Sequence, residues 1–209
     1  GTIFEDVNYV TYRDCAFSET FQNEKYGVAA IGTVLEYCSF NPGAASAGPY
    51  GIGDVNYTVL RGNLRGNSDG VRANGNVLVA ESYIRVKLTN SADHNDGGQS
   101  YGGSGTVEYR ACHIDMRPDT GQTVVNVNAA VQFADFATGT TFTGKIVDSL
   151  LHPGPGEYTV KMLDGIRSSN IRFVVTGNRL YKGTNGYFDR GNTPLSQITW
   201  TNNVDAVTG

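Results

Sequence analysis

Two six-residue stretches hold the side chains best suited to acid–base work: Asn67-Ser-Asp-Gly-Val-Arg72 and His94-Asn-Asp-Gly-Gly-Gln99. They align residue for residue, so a chain that stacked them would set Asp69 beneath Asp96 and Arg72 beneath Gln99, with Asp93 and His94 alongside. Two carboxylates held a few ångströms apart drive their pKa values apart, leaving one protonated while the other stays ionised. Glycoside cleavage needs that combination. Arg72 opens a second route, in which its guanidinium neutralises a uronate while His94 or Asp96 takes the neighbouring proton, as a lyase requires. The candidate catalytic set is therefore Asp69, Asp96, His94 and Arg72, with Asp93 and Gln99 as substrate contacts. In the competing reading Asp-Gly is turn chemistry, and each aspartate caps its own backbone.

A second group alternates with apolar residues: Glu81, Tyr83, Arg85, Glu108, Arg110 and His113. Stacking would bring Tyr83 beside His113 and Glu81 near Arg110. An aromatic ring next to a guanidinium suits sugar binding, which makes Tyr83, Arg110 and His113 candidate substrate contacts. The same residues also describe a solvated, salt-laced sheet face.

Both groups depend on a repeat that could stack them. Val77-Leu-Val-Ala-Glu-Ser-Tyr-Ile84 and Val107-Glu-Tyr-Arg-Ala-Cys-His-Ile114 share one template: two short alternating runs joined at a small residue. The template recurs from Val10, Thr33, Tyr57, Gly144 and Phe173, with a weaker copy near Gln197–Val204. A run this short cannot bury its own face, so the copies must lie on one another. Most copies are followed by a further apolar piece, such as Gly27–Ile31, Asp69–Arg72 or Ala129–Phe133. The expected fold is all-β: a single-stranded right-handed parallel β-helix, or solenoid, of about seven to eight turns. Residues 1–209 are expected to form one such domain, an excerpt of a longer chain. The longest insertions, Leu88–Asn95 and Met116–Asn128, are expected to wall a groove. Trp200 is expected to cover the last turn or to contact something beyond it.

Composition narrows the function classes. Of 209 residues, 27 are Gly and only 17% are charged, which suits short strands and tight turns. A net charge of −4 lacks the basic face that nucleic acid demands, and no apolar run reaches membrane-spanning length. The three cysteines, Cys15, Cys38 and Cys112, all occupy the small slot of the template. That slot reads first as a buried apolar position; Cys15 and Cys38 approach bridging distance, although stacked side chains run parallel. No spacing of Cys and His suggests a metal, and calcium has no motif to support it, so no cofactor is expected.

Asn-Ser-Asp-Gly-Val, Gly-Asn-Val-Leu-Val-Ala-Glu-Ser-Tyr-Ile and His-Asn-Asp-Gly-Gly-Gln together resemble the pectate-lyase-like superfamily of right-handed β-helices. His94 to Gln99 is similar to the His-x-Asp-Gly-x-Gln signature of its actinobacterial and actinophage members. Gly98 stands where that signature usually has a β-branched residue. The chain has no Gly-His-Gly, no Arg-Ile-Lys, and no calcium-and-arginine set of pectate lyases. The resemblance implies an extracellular polysaccharide lyase or glycoside hydrolase, or a tail-spike adhesin. Expected partners are a polysaccharide or cell-surface glycan, without nucleic acid or membrane insertion. The alternative is a non-catalytic structural or adhesive module of a phage tail appendage, on a virion surface, assembled as a homotrimer or larger body.

Overall fold

The computed structural model describes residues 2–25, 28–41, 50–66, 68–86, 95–119, 126–162 and 168–209. It is all-β, with three parallel sheets of eight strands each. Consecutive strands of any one sheet are consecutive passes of the chain, so the polypeptide winds and pairs only with the pass before and the pass after. This is the strand arrangement of a parallel β-helix. The first sheet includes Thr20–Gln22, Tyr50–Gly53, Asp69–Arg72, Asn95–Tyr101, Val127–Ala134 and Tyr158–Met162. The second includes Tyr57–Leu60, Val77–Ala80, Gly105–Arg110 and Phe142–Val147; the third includes Asn63–Gly66, Tyr83–Val86, His113–Asp115 and Leu150–His152.

Each inward position lies over the same position of the next pass. One core column of the second sheet runs Tyr12, Leu35, Val59, Val79, Tyr109, Ile146, Val175, Trp200. The facing column of the first sheet runs Phe21, Ile52, Val71, Gly98, Val131, Val160, Phe188. Trp200 ends its column stacked on Phe188, ring centroids 4.6 Å apart, so it covers the last pass as expected. At the other end Tyr12, Phe17 and Phe21 meet edge to face.

Between the second and third sheets one residue per pass takes left-handed backbone geometry: Asp14, Tyr37, Arg61, Glu81, Ala111, Asp148, Gly177 and Asn202, with φ between 50° and 71°. The small template residue follows it, and in the later passes its side chain accepts a backbone N–H from the pass before. Ser82 Oγ accepts from Gly62 at 2.9 Å, Ser149 Oγ from Cys112 at 3.0 Å, and Asn178 Oδ1 from Ser149 at 2.9 Å. One expected strand is displaced. Gly27–Ile31 supplies only Val28–Ala29, which pairs antiparallel with Glu24–Lys25, and Thr20–Gln22 takes its place in the first sheet.

Gly98 interrupts a valine column for a steric reason. A Cβ there would lie 2.5 Å from the Tyr109 hydroxyl and 2.6 Å from Cζ, so the tyrosine ring fills the volume the missing side chain leaves. Tyr109 is fully buried and its hydroxyl has no hydrogen-bond partner. Gly98→Val is expected to cost about 1–3 kcal/mol through overpacking, read as a lower denaturation midpoint. Tyr109→Phe should leave that midpoint unchanged or raise it, because an unpaired buried hydroxyl stabilises nothing. Equal stability of Gly98→Val and the parent would refute this packing.

Candidate active site on the first sheet

Along the first sheet the residue after the core column faces the opposite way. There the strand register aligns Arg72, Gln99, Gln132, Lys161 and Asp189 on successive passes, a polar row along one face. The expected stacking is present: Asp69 pairs with Asp96 and Arg72 with Gln99. Both aspartates lie in strands, so they are not turn residues. The glycines after them are packing residues too. A Cβ at Gly70 would meet Ile84 Cγ2 at 2.4 Å, and one at Gly97 would meet Ile114 Cγ2 at 2.3 Å.

Each aspartate does two jobs. Asp69 Oδ2 accepts Arg72 Nη2 at 2.8 Å, while its Oδ1 accepts the Asp96 backbone N–H at 3.3 Å. Asp96 repeats this one pass later, accepting Gln99 Nε2 at 3.3 Å and the Ala129 N–H at 3.1 Å. Asp69 is 1% exposed and Asp96 fully buried. Burial and the neighbouring Asp69 push the Asp96 pKa well above the ordinary carboxylate range, opposed by the Ala129 N–H, Lys161 and Asn128. Paired carboxylates with an elevated pKa are thus present, but neither meets solvent; they position Arg72 and Gln99. Asp93 and His94 lie outside the described residues, as does most of the excursion expected to wall a groove beside them.

A half-buried acid next to this row is Asp54, which the sequence reading missed. It follows Gly53, the residue one pass before Arg72 in that outward row. Tyr50 lies flat across Gly53, where a Cβ would fall 2.2 Å from the ring, and so offers its face to the Arg72 guanidinium at 4.7 Å. Gln22 donates to the Tyr50 hydroxyl. Arg72 is thereby held between a carboxylate and an aromatic face, with its Nε unpartnered. Burial first, then the charge of Glu24, raise the Asp54 pKa to about 6 against the opposing pull of Arg72. Asp54 Oδ2 also has no hydrogen-bond partner. A half-buried carboxyl titrating near neutrality within the electrostatic reach of a clamped guanidinium can deliver or remove a proton while the cation holds the developing charge. The signal available in sequence was Tyr50-Gly-Ile-Gly-Asp54, an aromatic at the start of a short strand and an acid just past its end, with glycines between them.

The second predicted group sits elsewhere, at the bend from the second to the third sheet. Tyr83 and His113 meet edge to face at 5.1 Å, as expected. Arg110 is not their partner: it pairs with Glu108, at 3.6 Å, and Glu81 pairs with Arg61, at 2.9 Å, the corner residue one pass before it. Tyr83 instead accepts from Arg85 Nη1 at 3.3 Å. Further along, the His152 ring lies 4.3 Å from that of Tyr181, with Asp115 and Arg117 paired at 2.7 Å nearby. Burial raises the Asp115 pKa, but hydrogen bonds from Arg117 outweigh it and hold it below the usual value. This surface and the Asp54–Arg72 surface belong to different sheets.

Among the described residues, no cluster of three or more His, Cys, Asp or Glu is placed to hold a metal ion. No helix is long and apolar enough to cross a membrane. Comparison with protein-family models, with curated proteins and with solved structures finds no match to this chain.

The elevated Asp54 pKa has a thermodynamic consequence. Unfolded aspartate titrates near about 3.9, so the folded state keeps a proton that the unfolded chain has already released. The stability this proton contributes is complete below about pH 4 and is lost as pH rises through about 6. Asp54→Asn should therefore match the parent near pH 4 and exceed it above pH 7, in thermal denaturation across a pH series. Parallel curves for the two proteins would show that Asp54 titrates like an exposed carboxyl.

Proposed function

We propose that this chain is a right-handed parallel β-helix of about eight turns that binds an extracellular polysaccharide along the outer face of its first sheet and cleaves it there. Asp54 transfers the proton, Arg72 stabilises the anionic charge, Asp69 and Tyr50 position Arg72, and Gln99, Gln132 and Lys161 extend the binding row. The observation that carries this reading is the Asp54–Arg72–Tyr50 arrangement: an acid raised toward neutrality, within the electrostatic reach of a guanidinium clamped by a buried carboxylate and an aromatic ring. Support for the hand comes from the right-handed rule for parallel crossovers, and for the turn number from eight strands per sheet. The resemblance of the His94–Gln99 segment to pectate-lyase-like proteins supports a polysaccharide partner and an extracellular or virion-surface location.

The test is a panel of neutral and uronate-containing polysaccharides, read by new reducing ends and by the absorbance of new double bonds. Asp54→Asn and Arg72→Ala should each lower turnover about 10²–10⁴-fold, and Asp69→Asn should follow Arg72→Ala. His94→Ala in the same assay decides whether that histidine takes part. Unchanged turnover in Asp54→Asn and Arg72→Ala would remove this site.

The complete burial of Asp69 and Asp96 favours a second reading, a non-catalytic adhesive module of a virion tail appendage in which the solenoid is a stiff rod. Light scattering after size-exclusion chromatography separates the two. A stable trimer that binds glycan without turning it over supports the module.

A further inference from the structure

Cys15 and Cys38 occupy the same slot on consecutive passes of the chain. The strands that follow them pair in register, Ala16 with Ser39, and the Ser39 N–H donates to the Cys15 carbonyl at 2.9 Å. The strands before them pair in register as well, Arg13 with Glu36. Parallel neighbours stand about 4.8 Å apart, inside the range of about 4.4–6.8 Å between Cα atoms that a disulfide spans. Cys38 is buried, and its thiol leans toward the pass that carries Cys15, reaching the Tyr12 carbonyl at 3.6 Å as well as Glu36 O at 3.4 Å. Burial raises the Cys38 pKa, and Cys15 is the neighbour that acts on it most. Cys15 is half-buried and reachable from solvent, and both thiols are free.

We propose that Cys15 and Cys38 are a modification site, closed to a disulfide between successive passes by a small-molecule disulfide oxidant. The Cys15 thiolate attacks one sulfur of oxidised glutathione, forming a mixed disulfide and expelling one glutathione thiolate. Cys38, having lost its proton to solvent, then attacks the Cys15 sulfur and expels the second. One protein disulfide forms, two protein thiols lose their protons, and one oxidised glutathione becomes two reduced ones. Cys112 provides an internal control. Its neighbours in the same column are Ser82 and Ser149, so it has no thiol to meet. The bond would tie two successive passes of the chain together.

The experiment is oxidation of the folded protein with oxidised glutathione, followed by alkylation in denaturant and intact-mass measurement. The expected product has one alkylatable thiol, a mass about 2 Da below that of the reduced chain, and a linked peptide pair containing Cys15 and Cys38. Cys112→Ser should behave identically and leave none, and it should fold, because serine already fills that slot at Ser82 and Ser149. Non-reduced protein should also melt roughly 5 °C or more above reduced protein. Three persisting thiols, glutathione retained on Cys15, or dimers linked through Cys15 would each overturn the proposal. None of these outcomes depends on whether the chain binds a glycan.

Discussion

In-register parallel pairing between successive passes governs this molecule. Backbone hydrogen bonds repeat at one spacing, about 4.8 Å, so every residue has a fixed neighbour above and below. Apolar positions become columns whose members must agree in volume, and a large residue in one sheet has to be matched by a small one facing it. Tyr109 and Gly98 show this at atomic scale. Aromatic groups gather toward either end of the described columns, Phe188 with Trp200 and Tyr12 with Phe17 and Phe21.

The same pairing explains how two aspartates are buried side by side. An isolated buried carboxylate is expensive, yet Asp69 and Asp96 each receive a backbone N–H from the following pass and a side-chain donor three residues along their own strand. Asp69 is served by Arg72. Asp96 has no cation in contact, and burial with the neighbouring Asp69 raises its pKa. Their placement removes them from direct contact with any ligand and gives them a supporting role. The proposed proton transfer falls instead to Asp54, whose carboxyl lacks both a cationic partner in contact and full hydration.

Rigidity connects fold to proposed function. Arg72 is held from two sides, by Asp69 in its own strand and by a ring lying over Gly53, so its guanidinium is fixed before any ligand arrives. The left-handed corner residue of each pass carries side chains as unsuited to that geometry as Tyr37, Arg61 and Glu81. Such a conformation costs about 1 kcal/mol or more per residue. It persists because the residue after it is locked on both faces by its neighbours, most visibly in the Ser149, Asn178 and Asn203 ladder.

The alternation of apolar residues and the recurrence of one template were enough to imply stacked parallel strands, and with them the Asp69–Asp96 and Arg72–Gln99 pairs, because alternation and register are both periodic in sequence. The small slot shared by Cys15, Cys38 and Cys112 was legible for the same reason. What the sequence could not supply was anything set by contacts between sheets or across a turn. Asp54 has no repeat partner, and its environment exists only because Tyr50 lies over Gly53 toward Arg72. Glu81 was assigned to Arg110 on spacing alone, but its carboxylate pairs with Arg61, the corner residue one pass before it. Solvent access was also invisible: the aspartates with the most suggestive spacing are closed from water, and the half-buried Asp54 belongs to no motif. Periodicity fixes which residues are stacked, whereas burial and ionisation depend on the whole surrounding body.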